Sequence, residues 1–128
     1  MSHFSVYKTK LGNVSAQLLK QAIQSFAKQI GAEVSASVKD YYGNTQAVQI
    51  GLTMPSLPMG IGFGVDNQGN LSVQGDSYGC SQEWNRVSTL ATNYIKAYKV
   101  AQTARIAHPT AQLNMKTTQK AVILEVCI

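Results

Sequence analysis

Apolar and polar positions alternate near the start of the chain, where Phe4 and Val6 are interleaved with His3, Ser5 and Tyr7, the signature of a half-buried strand over residues 3–8. The period then lengthens. Val14, Leu18, Leu19, Ala22, Ile23, Phe26 and Ile30 recur on one side, with Lys20, Gln24 and Lys28 opposite, so residues 14–30 are predicted to form an amphipathic helix capped by Asn13 and closed by Gly31. Alternation returns in "AEVSASVKDYY" and, after the turn "YGN", in "TQAVQIGLTM", which together read as a hairpin. The prolines of "MPSLP" cannot donate to a ladder and interrupt pairing before Met59, Ile61, Phe63 and Val65 form another strand, and "DNQGN" turns into "LSVQ".

A second helix is predicted from a Ser81 cap, with Glu83 in its first turn, to about Ala107, where His108-Pro109 stops it. Trp84, Val87, Ala91, Tyr94, Ile95, Tyr98 and Arg105 share one side of it. The last segment, "KAVILEVCI", is apolar on both faces and is expected to be a central strand. The order strand, helix, four strands, helix, strand indicates one α+β domain over residues 1–128: a mostly antiparallel sheet of five to six strands with two helices packed on one face.

Gly60, Gly62 and Gly64 look at first like a nucleotide loop. A dinucleotide fingerprint needs a third glycine three residues after the second, but Val65 and Asn67 stand at those places, no helix follows, and no Gly-Lys-Ser/Thr occurs anywhere. Strict alternation instead puts the three glycines on one strand face and Met59, Ile61, Phe63 and Val65 on the other. Ser35, Ser37, Gln49, Thr53, Ser72 and Gln74 fall on the glycine side. That side is then a solvated face, a face that admits a neighbouring loop, or a docking surface for another protein. Only Tyr7 adds an aromatic ring to it, too few for an RNA-binding sheet.

Charged residues make up 13% of the chain, against about 25% in an average domain, so little electrostatic repulsion opposes association. The net charge of +5 is uneven: residues 31–83 sum to −4 and residues 84–128 to +5. Lys96, Lys99, Arg105, Lys116 and Lys120 are therefore the candidates for a nucleic-acid contact. No signal peptide or membrane-length apolar run is present, so a soluble, cytoplasmic protein is expected.

Catalytic chemistry finds little support. Cys80 precedes the second helix, where the helix dipole favours a thiolate, but a nucleophile needs a base and neither His3 nor His108 is near it in sequence. It reads as structural, and Cys127 as core. Two cysteines and two histidines give no recognisable metal-ligand spacing, and no pair of the six acids suggests acid and base work. His3 in "MSH" has the free amine and imidazole that chelate copper or nickel, but the small Ser2 favours removal of Met1, which changes that geometry, so no metal is expected. No cofactor is expected. Arg105, on the apolar side of its helix, is read as reaching past the helix end to solvent, with binding of a carboxylate or phosphate as the alternative.

The opening "MSHFSVYKTK", the "IGFGVDNQGNLSVQGD" hairpin and the Trp-bearing helix ending "YKVAQTARIAH" resemble the family of hypothetical chloroplast open reading frame thirty-five and its prokaryotic relatives. The match spans most of the chain and departs from the family at Gly62–Gly64. The resemblance implies no enzymatic activity and no catalytic residues. It implies an accessory or adaptor role, in the company of a AAA-type ATPase. Residues and resemblance together predict a non-catalytic protein that binds a partner or itself through Gly60, Gly62, Gly64, Ser35, Ser37, Gln49 and Gln74. Nucleic-acid binding through the five basic residues is the alternative, and a small-molecule enzyme using Cys80 or Arg105 the third reading.

Overall fold

In the computed structural model, which describes residues 4–8 by their backbone and residues 13–127 in full, the described residues form seven strands and two helices, one strand more than the local signals above predict. They run β1 (Phe4–Lys8), α1 (Ala16–Ile30), β2 (Glu33–Lys39), β3 (Thr45–Met54), β4 (Leu57–Val65), β5 (Leu71–Asp76), α2 (Ser81–Ala107), β6 (Gln112–Thr117) and β7 (Val122–Cys127). The expected chemistry of His3 lies outside the described residues, as does the Tyr7 side chain. α1 starts later than predicted because Ser15, not Asn13, caps it, accepting a 3.0 Å bond from Leu18 N; Gly31 closes it as expected. α2 has Cys80 at its cap position with no side-chain capping bond, and it ends before His108-Pro109.

Five strands form one antiparallel sheet in the order β1-β5-β4-β3-β2. Alternation sends Ile50, Leu52, Ile61, Phe63, Leu71 and Val73 to the face under the helices, where they meet Leu19, Ile23 and Phe26 of α1 and Trp84, Leu90 and Tyr94 of α2 in a single core. The α+β arrangement with a mostly antiparallel sheet is thus the one the pattern predicts. The β2–β3 and β4–β5 turns use the same device, Asp-x-x-Gly-Asn: Asp40 and Asp66 each accept the backbone N–H of the Asn four residues on, at 2.8 and 2.9 Å, while Gly43 and Gly69 take a positive φ.

The C-terminal strand is not central. β7 pairs only with β6, a strand the sequence reading did not anticipate, and the two form a separate sheet against the outer side of the helices. The far side of α2 explains it. With 27 residues α2 is ~40 Å long, and its side turned away from the five-stranded sheet needs other cover from Arg86 near its start to Arg105 near its end. The β6–β7 hairpin supplies it through Leu113, Met115, Val122 and Leu124, leaving Ile123, Val126 and Cys127 exposed; Cys127 is therefore a surface residue and not core.

Candidate functional site

The glycine face is occupied by the chain itself. Register shifts between Ser35 and Ser37, so that Ser35 pairs with Gly51 but Ser37 with Ala47, and Val48 and Gln49 bulge from β3. The Gln49 side chain replaces the lost ladder: its Nε2 donates to the Val65 carbonyl at 2.9 Å and its Oε1 accepts from Val65 N at 3.2 Å. Beyond the bulge the β2–β3 hairpin curls over β4 towards β5. Val38 becomes 1% exposed although it lies outside the core beneath the helices, and Tyr41 N donates to Asp76 Oδ2 at 2.8 Å.

Gly60 and Gly62 are small because of this fold-back. Gly60 has φ 85°, a conformation glycine adopts without penalty, and a Cβ there would stand 3.2 Å from Val38 Cγ1. A Cβ on Gly62 would overlap Val48. Both glycines are buried, so the open surface expected around them is replaced by an internal contact; Gly64, Ser35, Ser37 and Gln74 are half-buried, and Gln49, though exposed, is committed to Val65. Ser35 Oγ is likewise taken up, donating to the Ser37 carbonyl at 3.0 Å.

Asp76 anchors the curl. Its carboxylate is fully buried and accepts from Tyr78 N at 3.0 Å as well as from Tyr41 N, which brings the Tyr41 and Tyr78 rings within 4.2 Å at the sheet end. The same carboxylate affects Cys80. Burial first, then the charges of Asp76 and Glu83, push the Cys80 thiol above its ordinary pKa, which opposes the thiolate that a helix N-terminus favours. Among the described residues no three His, Cys, Asp or Glu side chains come together as a metal site.

The five basic candidates do not share one face. Lys96 lines a shallow groove with Val73 and Trp84, whereas Arg105, nine residues and thus ~180° further round the helix, faces the β6–β7 side. Lys116 pairs with Ile123, on the hairpin face opposite to Met115, and Lys120 is in the hairpin turn.

Arg105 instead belongs to a groove of about 510 Å³ between α1, the C-terminal half of α2 and β6. Tyr98, Ala101, Leu113 and Met115 contribute its apolar lining, and Ile106, 83% exposed, flanks it. Gln29 holds the walls together. Its Nε2 donates to the Met115 carbonyl at 2.9 Å, its Oε1 accepts from Thr117 Oγ1 at 2.7 Å, and Arg86 Nη1 adds a 3.0 Å bond to the Gln119 carbonyl at the hairpin turn. At the base of the groove Tyr94 is buried in the core with its hydroxyl 2.6 Å from Ser25 Oγ, and its ring packs 5.4 Å from Phe26. Arg105 makes no ion pair or hydrogen bond among the described residues.

Arg105, Tyr94 and Tyr98 were all legible on one helix side. Leu113 and Met115 were not, because they lie on the unanticipated β6 strand, and Gln29 of α1 finds its Met115 and Thr117 partners only there. Among the described residues no helix is long and apolar enough to cross a membrane. No family model, curated protein or solved structure matches the chain.

Proposed function

We propose that this chain is a non-catalytic accessory protein of the cytoplasm that binds another protein through the groove beside the C-terminal half of α2. The observation that carries this reading is the exposure of Ile106 at the edge of a concave groove with an apolar lining, the kind of surface that binding sites use. The resemblance to the open-reading-frame family supports an adaptor role and makes a AAA-type ATPase the first partner to try.

Photo-crosslinking tests it. A photoreactive phenylalanine analogue placed at Ile106 gives a discrete protein adduct in extract from the native cell, and the same group at exposed Gln46, on the β2–β3 hairpin, does not. An adduct with a second copy identifies self-assembly as the mode of binding. No adduct, or identical adducts from both positions, overturns the reading.

A further inference from the structure

Resting on that reading, we infer that the segment the groove accepts is acidic and amphipathic, with apolar side chains on the groove floor and a carboxylate paired with Arg105. The charge of the surrounding elements carries the inference. α1 contains Lys20 and Lys28 and no acid, and residues 84–124 contain six basic residues and no acid. Of the two acids that flank this stretch only Glu83 compensates it, and only at Arg86, which leaves five basic residues. Glu83 is already bonded to Arg86 at 2.6 Å and to Ser56 at 2.9 Å, and Glu125 pairs with Asn114, on the hairpin face opposite to Met115 and Leu124. Arg105 is the charged residue of the groove lining, and a cation against apolar, low-dielectric walls in a basic region favours an anionic group on the partner.

The floor restricts the ligand further. The Tyr94 hydroxyl is engaged by Ser25 and Gln29, and the Gln29 amide by Met115 and Thr117, so the groove offers apolar surface more than open hydrogen-bonding groups. A polyphosphate would need several cations converging on one track. Here Lys96 lies on the far side of α2 and Lys116 on the outer face of the hairpin, leaving Arg105 as the cation in the groove lining. One guanidinium beside apolar surface suits a carboxylate next to leucine-like side chains.

The test is fluorescence anisotropy with four labelled probes: a peptide of Glu and Leu, the same peptide with Lys for every Glu, the same with Ser for every Leu, and single-stranded oligothymidylate. The Glu-Leu peptide binds, the other three bind at least about ten-fold more weakly, and Arg105→Glu weakens the Glu-Leu peptide about ten-fold at low salt. Ile106→Ser, also at an exposed position, lowers it as well, and circular dichroism confirms that both variants fold. Equal binding of the Glu-Ser peptide would reduce the site to charge alone and overturn the inference; tighter binding of the oligonucleotide would replace it with nucleic-acid recognition. Absence of peptide binding together with a crosslinked partner at position 106 rejects this ligand chemistry and leaves the protein-binding reading standing, whereas absence of both removes both.

Discussion

Replacing Gly62 by Ala tests whether the β2–β3 hairpin folds back on the sheet in solution. The added Cβ has Val48 Cγ1 inside the contact limit, Val48 Cβ at 3.1 Å and Gln74 Cγ at 3.2 Å. Overpacking of this kind costs about 1–3 kcal/mol, and the lower backbone entropy of an unfolded Ala returns about 0.4–1 kcal/mol, so a net loss of about 1–2 kcal/mol is expected. In a chain of this size that is a fall in Tm of about 3–10 °C. Val48→Ala removes the methyl groups responsible. By itself it trims a half-buried side chain and costs about 1 kcal/mol, but combined with Gly62→Ala it makes room for the new methyl, and the pair should be less destabilised than the sum by about 1 kcal/mol. Urea unfolding of the wild type, both single variants and the double variant measures the coupling. Additive losses, or a neutral Gly62→Ala, would mean that Val48 does not lie over Gly62 and that the glycine face is open.

Asp76→Ala leaves the Tyr41 and Tyr78 amides without their carboxylate and should cost about 2–4 kcal/mol, with amide exchange at those two residues accelerating more than at core amides of β4; unchanged exchange there would refute the anchor. Because burial and two carboxylates raise its pKa, Cys80 carries less thiolate at pH 8 than an ordinary cysteine, and iodoacetamide should label exposed Cys127 first when followed by mass spectrometry. Faster labelling of Cys80 would restore the activated thiol that its helix position suggested.

Much of the architecture was written locally. The apolar stripe of residues 14–30, the alternation through Ile61 and Phe63 and the proline after His108 each act over a few residues, and the chain obeyed them because both helices and the sheet bury one common side. Even the repeated Asp-x-x-Gly-Asn turns depend only on a side chain reaching its own backbone four residues on. What tertiary structure decided lies between elements distant in sequence. An alternating run cannot say whether its small side meets solvent or another part of the chain, and the answer for Gly60 and Gly62 came from a bulge at Val48 and Gln49 that lays Val48 over Gly62 and brings Val38 over Gly60. An apolar run such as "VILEVC" fits a central strand or the cover of a helix equally well. The helices had a second side to cover, so the run became cover, and the gap it left beside Arg105 and Ile106 is the groove.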